Sequence, residues 1–224
     1  MEKREKSRRW TRRYRDKLRS ILPKKRKLEF QESYLGIEER WSIISRHLPV
    51  GKSWILDVGS NLGDTARRAA ALGHVVVGVE AERHLVERAI KIVPPNVALM
   101  TGRVDPEFFR SMPHFDVVLL LSILHRLWAV HGRRYAEECL TASLEKTDRV
   151  LIEGAVRHQR YTQYGKEAPE FESNDLDAGI AWHLQWLKAL APSPDWTVKS
   201  IGSVSASERE PYRPLFLLSP AGTE

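Results

Sequence analysis

The sequence lacks the features that define disulfide-linked, metal-clustered and membrane-spanning proteins. Its 224 residues include a single cysteine, Cys139, which excludes an internal disulfide and a cysteine-based zinc cluster. No apolar run approaches the roughly 20 residues that a membrane-spanning helix needs. The basic N-terminus also lacks the apolar stretch and cleavage site of a secretory signal. These absences predict a cytoplasmic protein.

Acidic residues are scarce at the N-terminus, and this divides the chain into two parts of opposite charge. Residues 1–27 hold 14 Lys or Arg and three acids, a net charge of +11, while the remainder has a net charge of −4. A mildly acidic body argues against a protein that coats every face with nucleic acid. We expect a basic arm over residues 1–30 and one folded domain over residues 31–224, since that length suffices for a single core.

The arm has the pattern of a basic amphipathic helix. Apolar residues recur at three- and four-residue steps over residues 10–22, with arginine and lysine on the remaining surface. Three alternatives stay open: the arm binds RNA, with Trp10 and Tyr14 stacking on bases, lies on an anionic membrane, or forms a disordered tail. The continuous apolar stripe disfavours the tail and favours the membrane, which adds the inner face of the membrane to the expected location.

Beyond the arm, strand patterns alternate with helix patterns. This alternation predicts an α/β fold with a doubly wound, mostly parallel seven-stranded sheet, whose last strand is antiparallel. The predicted strands are residues 54–58, 75–80, 97–100, 115–121, 149–153, 196–204 and 214–218. The predicted helices are residues 33–48, 64–72, 82–92, 132–144 and 178–190, with a loop or lid at 157–177.

The turn after the first strand predicts a nucleotide site. It reads Leu56-Asp57-Val58-Gly59-Ser60-Asn61-Leu62-Gly63, and the second strand ends in Glu80. Gly59 permits a sharp turn, and Gly63 permits a close approach to the helix start, whose N–H groups are free. An acid at the end of the second strand can bind both hydroxyls of a ribose. The strict dinucleotide fingerprint fails at Asn61, which disfavours a nicotinamide-dependent oxidoreductase.

The order D-x-G-x-x-x-G, followed by an acid after the second strand, resembles motif I and its partner acid in class I S-adenosylmethionine-dependent methyltransferases. The fourth-strand segment FDVVLLLSILH (residues 115–125) and the closing antiparallel hairpin also resemble that family. The resemblance spans about residues 35–219 and implies a Rossmann-like methyltransferase fold with S-adenosylmethionine as cofactor. The residues that it implies for cofactor binding are Asp57, Gly59, Ser60, Asn61, Gly63, Glu80, Ala81, Asp105, Leu121 and Ser122.

The resemblance also implies a role for each of these residues. Those between Asp57 and Gly63 line the methionine part of the cofactor. Glu80 binds the ribose hydroxyls and Ala81 flanks the adenine. Residues 102–105 face the adenine ring, and Asp105 contacts its amino group. Leu121 and Ser122 lie under the sulfonium.

The Asn61 form of the motif resembles three subgroups of the family. They are bicoid-interacting-protein-like RNA 5′-phosphate methyltransferases, tRNA wobble-uridine-modifying methyltransferases, and methyltransferases encoded among bacterial polysaccharide genes. The first subgroup shares further parallels at residues 121–128, at 151–153 with Tyr161, and at 213–216. Asn is among the few residues that tolerate a positive φ, so the turn is preserved. These subgroups imply RNA or a membrane-associated glycan or lipid as the methyl acceptor.

The sequence also offers candidates for residues that act on the methyl acceptor. Methyl transfer from a sulfonium needs alignment first, and a general base only for a hydroxyl or an unactivated amine. His125 is the predicted base, with packing or helix capping as the alternative, and His131 lies on the same rim. Glu153 either reaches the pocket or is a solvated strand end. The eight histidines are scattered without ligand spacing, so no metal is predicted.

The remaining aromatic residues have two interpretations each. His158, Tyr161 and Tyr164 are acceptor contacts or ordinary loop residues. Trp182, His183 and Trp186 follow helical spacing and are predicted to be core, as is Cys139. Because no acceptor-side signature is present, a non-catalytic binding module stays open as the alternative to an enzyme. Such a module would keep the cofactor pocket and be recruited to RNA or an anionic membrane by the arm.

Overall fold

The computed structural model describes residues 36–205 and 212–222. The predicted arm, residues 1–30, and the first residues of the predicted 33–48 helix lie outside the described residues. Seven strands form one sheet. They are β1 (Trp54–Val58), β2 (Val75–Glu80), β3 (Val97–Thr101), β4 (Val117–Leu121), β5 (Val150–Glu153), β6 (Trp196–Val204) and β7 (Arg213–Pro220).

The sheet has the strand order β3-β2-β1-β4-β5-β7-β6. Strands β1 to β5 pair in parallel, and β7 pairs antiparallel with both β5 and β6. The predicted doubly wound, mostly parallel seven-stranded sheet is therefore confirmed. The predicted bounds of β1, β2 and β6 match the observed bounds, while β4 begins two residues later than predicted.

The helices of the described residues include three that were not predicted from the sequence, Pro106–Ser111, Leu124–His131 and Gln159–Thr162. The helices are α1 (Ile37–Ile44), α2 (Asp64–Ala71), α3 (Arg83–Ala89), α4 (Pro106–Ser111), α5 (Leu124–His131), α6 (Arg133–Leu144), α7 (Gln159–Thr162) and α8 (Leu176–Leu190). Helix α4 is short and α5 follows β4 directly, without a glycine or proline between them. Ser122 makes this turn by adopting a left-handed φ of 61°. The predicted loop at 157–177 contains the short helix α7.

Side chains of the strands alternate between two packed layers. One face of the sheet packs against α1 and α2, through residues such as Ile44, Ala66 and Ala69. The other face packs against α4, α5, α6 and α8, with Trp128 fully buried at its centre. Trp186 and His183 of α8 are buried in this second layer, as is Cys139 of α6, so their predicted core positions are confirmed.

These layers create a crevice at one edge of the sheet. The helix after β1, α2, packs on one face, whereas the helix after β4, α5, packs on the opposite face. Since β1 and β4 are neighbours, the chain diverges between them, and ligands of doubly wound sheets bind at such a point. In the part of the chain that the structure describes, no helix has the length and apolar character needed to cross a membrane.

Candidate active site

A cavity of about 830 Å³ lies at this crevice. Its walls come from the turn after β1, from the ends of β2, β4 and β5, and from α1, α5 and α7. Eight of the ten residues predicted to bind the cofactor line it, and Gly63 and Asp105 do not. Those eight are Asp57, Gly59, Ser60, Asn61, Glu80, Ala81, Leu121 and Ser122.

The turn after β1 is held closely against its neighbours. Gly59 has a φ of 71°, and a Cβ atom there would overlap Cδ1 of Ile123. The backbone N–H groups of Gly59 and Ser60 both donate to the carbonyl oxygen of Val79, at 2.7 and 3.1 Å. Gly59 therefore serves both the left-handed turn and the close contact with Ile123, which lies on the opposite side of the crevice.

The turn continues through two further left-handed residues into α2. Asn61 has a φ of 51° and Gly63 a φ of 68°, so Asn61 does adopt the positive φ that its residue type tolerates. Arg67, which is 1% exposed, donates from Nη1 to the carbonyl oxygen of Leu62 at 2.6 Å. Gly63 lies outside the cavity lining and contributes a left-handed residue to the turn, and the hydrogen bond from Arg67 stabilises the turn at Leu62. No feature of the sequence pattern indicates a buried arginine within this amphipathic helix.

Asp57 is a buried carboxyl group in the cavity wall. It is 3% exposed, and its Oδ2 has no hydrogen-bond partner within residues 36–205 and 212–222. Burial raises the pKa of Asp57 to about 7; Arg40 opposes the rise, and the carboxylates of Asp64 and Glu80 add to it. Because buried polar atoms are normally hydrogen-bonded, this oxygen is suited to a ligand that carries N–H donors and positive charge.

Glu80 closes the same side of the cavity at the end of β2. Its Oε2 accepts a hydrogen bond of 2.9 Å from the backbone N–H of Asn61, and its Oε1 accepts one of 3.0 Å from the backbone N–H of Glu82. Gly78, two residues earlier, lets the turn approach β2, since a Cβ there would lie 2.9 Å from Oγ of Ser60. The carboxylate is thus fixed in orientation and keeps lone pairs for two ligand hydroxyls.

Glu153 is the central charge on the other side of the cavity. Its carboxylate accepts hydrogen bonds from Ser122 at 2.7 Å and from Arg40 and Arg213 at 2.8 Å each. Burial alone would raise the pKa of Glu153, but the two arginines and the Ser122 hydroxyl outweigh it and hold this pKa at about 2. Glu153 is 1% exposed, so its interpretation as a solvated strand end is wrong. It reaches the cavity.

Asp105 has a structural role at the start of α4. Its carboxylate accepts a hydrogen bond of 2.6 Å from the backbone N–H of Phe108 and caps the helix, with Pro106 at the first helical position. The residues before it, Gly102 to Val104, line the cavity. The predicted contact between Asp105 and the adenine amino group stays a prediction, although the helix cap occupies this carboxylate.

Helix α5 directs one face to the cavity and another to the core. The cavity face consists of Arg126, Leu127, Val130 and His131, together with Ile123 just before the helix. His125 lies on the buried face with Trp128, is 3% exposed, and packs its ring edge against Tyr161 at 6.1 Å between ring centres. This position agrees with the packing alternative. The general-base role of His125 stays a prediction, and its side chain lies outside the cavity lining.

The residues of the predicted lid are also divided between the core and the cavity wall. Tyr161 is 2% exposed, and its hydroxyl lies 3.0 Å from both the Ala155 carbonyl oxygen and Nε2 of His183, so it belongs to the core. Tyr164 lines the cavity, as does Arg160 beside it. Among the described residues, no group of three or more His, Cys, Asp or Glu side chains is placed to bind a metal.

Comparisons with known proteins bear on the fold. No family model matches the chain, and no curated protein matches it in sequence. The bifunctional kinase-methyltransferase WbdD aligns with 82% of this chain and 38% of its own, at a TM-score of 0.60 and 21% identity. This chain therefore spans well under half the length of WbdD.

Two further solved structures are similar over most of their own lengths. Magnesium protoporphyrin IX methyltransferase ChlM from Synechocystis, solved with bound S-adenosylmethionine, aligns with 82% of this chain and 77% of its own, at a TM-score of 0.56 and 13% identity. A TehB-like S-adenosylmethionine-dependent methyltransferase from Corynebacterium glutamicum aligns with 96% and 98%, at 0.53 and 13%. The chain thus has the Rossmann-like fold of class I methyltransferases.

Proposed function

We propose that this protein transfers a methyl group from S-adenosylmethionine to an acceptor molecule. The observation that carries the proposal is Asp57, a buried carboxyl group whose Oδ2 lacks a partner among the described residues and which lines a cavity at the β1–β4 crevice. The fold, which is shared with methyltransferases that include a S-adenosylmethionine complex, supports the same proposal.

The residues of the cavity fit the proposed cofactor. Asp57 and the turn from Gly59 to Asn61 hold the methionine part, because the buried carboxyl oxygen offers an acceptor to an ammonium group. Glu80 binds the ribose hydroxyls with a carboxylate that two backbone N–H groups already orient. Residues 102–104 face the adenine. When bound, S-adenosylmethionine supplies a methyl group that its sulfonium has already activated.

The electrostatics of this half of the cavity favour a cationic ligand. Four acids line it, Asp57, Asp64, Glu80 and Glu82, against one arginine of the described lining on this side, Arg103. Asp64 is also paired with Arg67 and Arg68, which lie outside the lining, so Glu80 and Glu82 contribute most of the negative charge. Such a cluster concentrates negative potential where the sulfonium and the ammonium would lie. S-Adenosylhomocysteine, which lacks the sulfonium charge, is therefore expected to bind less tightly than S-adenosylmethionine.

The arm is proposed to bring the enzyme to its acceptor. Residues 1–27 lie outside the described residues, and the proposal depends on their net charge of +11. They would dock either on RNA or on an anionic membrane surface that presents a glycan or lipid acceptor. Deleting residues 1–27 should abolish methylation of a large anionic acceptor and leave cofactor affinity unchanged. A loss of cofactor affinity in the deletion would instead assign the arm to the fold.

Two measurements test the proposed function. Titration calorimetry with S-adenosylmethionine and S-adenosylhomocysteine measures cofactor binding, and no binding at high micromolar concentration would overturn the proposal. Radiolabelled S-adenosylmethionine is then incubated with the protein and a cell extract, which is fractionated into RNA, protein, lipid-glycan and small molecules. Label in one fraction supports the enzyme and identifies the acceptor class. Binding without labelling of any fraction would favour the non-catalytic module.

A further inference from the structure

The charged side chains of the cavity are unevenly distributed, with four acids and Arg103 on one side and four arginines with Glu153 on the other. The acids Asp57, Asp64, Glu80 and Glu82 lie on the side formed by β1, β2 and their following residues. The opposite side, formed by the ends of β4 and β5, the start of β7, and helices α1, α5 and α7, is rich in arginine. Its arginines are Arg40, Arg126, Arg160 and Arg213.

Among the described residues that line the cavity, a single carboxylate lies on the arginine side. That group, Glu153, is shared between Arg40 and Arg213, so the three together leave one positive charge. The side chain of Arg126 has neither an ion pair nor a hydrogen bond within residues 36–205 and 212–222, and it is exposed on the cavity face of α5. Arg160 of α7 lines the same wall.

Among the described residues on this side, Glu153 and His125 are poorly placed to remove a proton from an acceptor. Glu153 is ionised, but Ser122, Arg40 and Arg213 already bind its oxygens and keep it a weak base. His125 lies on the buried face of α5, outside the cavity lining. His131 does line the cavity, where its ring stacks on Tyr135 with 4.3 Å between ring centres.

We propose that the methyl acceptor carries a negatively charged oxygen, in a phosphate or a carboxylate group, which Arg126 and Arg160 bind. This inference rests on the proposed methyl transfer and names the substrate class of that site. Guanidinium groups match both anions, because their parallel N–H donors can pair with two oxygens at once. The arginine side of the cavity then complements the acceptor as the acidic side complements the cofactor.

The chemistry of the proposed step needs no general base. The charged acceptor oxygen forms a bond to the methyl carbon while the carbon–sulfur bond breaks, and the electron pair of that bond stays on sulfur. The products are a methyl ester and the neutral thioether S-adenosylhomocysteine. An oxyanion loses no proton in this step, so the arginines only have to bind and align it.

Binding of small anions tests the inference independently of methyl transfer. Titration calorimetry would measure inorganic phosphate and acetate binding to the full chain with S-adenosylhomocysteine present, at constant ionic strength. The variants are Arg126→Gln and the double variant with Arg160→Gln. Arg134→Gln is the matched control, because Arg134 is 91% exposed on α6, pairs with Glu138 at 2.9 Å, and does not line the cavity. Every variant keeps residues 1–27, so the arm adds the same background.

The expected result is that Arg126→Gln weakens binding of at least one anion about tenfold, as the loss of a charge-assisted hydrogen bond would. The double variant should bind more weakly still, and Arg134→Gln should match the wild type. Equal anion binding by all variants, with normal S-adenosylhomocysteine binding, would overturn this inference and leave the proposed function standing. Failure of every variant, wild type included, to bind S-adenosylhomocysteine would overturn the proposed function instead, and the anion contrast would still decide the arginine site.

The same titrations distinguish a phosphate from a carboxylate as the acceptor group. Preference for phosphate over acetate indicates a phosphate acceptor, and the reverse indicates a carboxylate. The labelled product provides a second test of this distinction, because mild alkali releases methanol from a carboxylate methyl ester but not from a methyl phosphodiester. Label held as an ether or on nitrogen, stable to alkali and to phosphodiesterase digestion, would overturn the inference.

Discussion

The hydroxyl of Ser122 donates a hydrogen bond of 2.7 Å to Oε1 of Glu153, and this bond joins the carboxyl ends of β4 and β5. Arg40 of α1 and Arg213 of β7 bind the same carboxylate, and Arg213 also donates to the Ser122 hydroxyl at 2.8 Å. One buried carboxylate therefore connects four elements around the cavity. Its charge is important to the fold as well as to the site.

Replacing Glu153 by glutamine should destabilise the protein strongly. The variant leaves Arg40 and Arg213 partly buried without their shared counter-charge, and removing one partner of a buried pair costs about 3–5 kcal/mol. The free energy of unfolding in urea at pH 7 would measure this. Glu138→Gln is the control, because its pair with Arg134 is exposed, and we expect a change below about 1 kcal/mol. Equal effects in the two variants would contradict the prediction.

The stabilisation by Glu153 should also depend on pH. Its pKa is about 2 in the folded protein and has an ordinary value of 4.5, so the carboxylate is favoured by folding. Its contribution is therefore complete above pH 4.5 and is lost as the pH falls from 4.5 towards 2. The difference in unfolding free energy between wild type and Glu153→Gln should narrow over this interval. A difference that stays constant from neutral pH to pH 2 would show that the charge is not responsible.

Cofactor binding should release a proton from Asp57. Its pKa of about 7 means that a large fraction of the carboxyl groups are protonated below neutral pH, and a bound ammonium group would favour the ionised form. Affinity for S-adenosylmethionine should therefore rise as the pH is raised through 7. In the free protein the same raised pKa acts in the opposite direction and lowers stability as the pH rises from 3.8 to about 7.

Calorimetry in two buffers of different ionisation enthalpy would measure the released proton. Asp57→Asn should bind S-adenosylmethionine at least about tenfold more weakly and should release no proton, since the loss of a hydrogen bond to a charged group is of that size. Proton release that persists in Asp57→Asn would assign the titration to another group.

Replacing Glu80 by glutamine should weaken S-adenosylmethionine binding by about tenfold or more. The variant loses one of the two acceptor oxygens proposed for the ribose and disturbs the bonds to Asn61 and Glu82. Glu87→Gln is a matched control on the neighbouring α3, where Glu87 forms an exposed pair with Arg83 at 2.9 Å. Calorimetry should show unchanged affinity in the control. Unchanged affinity in Glu80→Gln as well would remove Glu80 from the site.

The parts of the site that were predicted from sequence are those that short segments determine. The turn from Asp57 to Gly63 needs particular residues at adjacent positions, and Glu80 follows from the end of a recognisable strand. The convergence on Glu153 could not be predicted in this way, because Arg40 lies 113 residues away and Arg213 lies 60 residues away. The antiparallel pairing of β5 with β7 brings Arg213 to Glu153, and the packing of α1 on the sheet adds Arg40.

Helix α5 was missed for a different reason. The segment from Val117 to Val130 is apolar almost throughout, so strand and helix could not be separated by periodicity alone. Ser122 makes the turn with a positive φ, which its residue type does not signal. Once the helix is known, its period places His131 with Arg126 on the cavity side and His125 with Trp128 in the core.

The contrast between the two histidines can be measured. His125→Leu should change the rate of methyl transfer by less than about tenfold, because an apolar side chain can fill the buried site and a general base contributes about 100-fold or more. The unfolding free energy of His125→Ala should fall further than that of His125→Leu, because a cavity remains. A loss of about 100-fold or more in His125→Leu, with cofactor affinity intact, would establish His125 as the base.

Replacing Gly59 by alanine tests how closely the turn approaches Ile123. The alanine is strained by its φ of 71° and would also overlap Ile123. Gly73→Ala isolates the first effect, since Gly73 has a φ of 103° and no atom lies within 4 Å of the position that an added methyl group would take. We expect Gly73→Ala to cost about 1 kcal/mol and Gly59→Ala about 3 kcal/mol, measured by urea unfolding.

Adding Ile123→Ala to Gly59→Ala should relieve the overlap, so the double-mutant cycle should show a favourable coupling of about 1 kcal/mol or more. Additive costs in that cycle would mean that the two residues do not meet across the crevice.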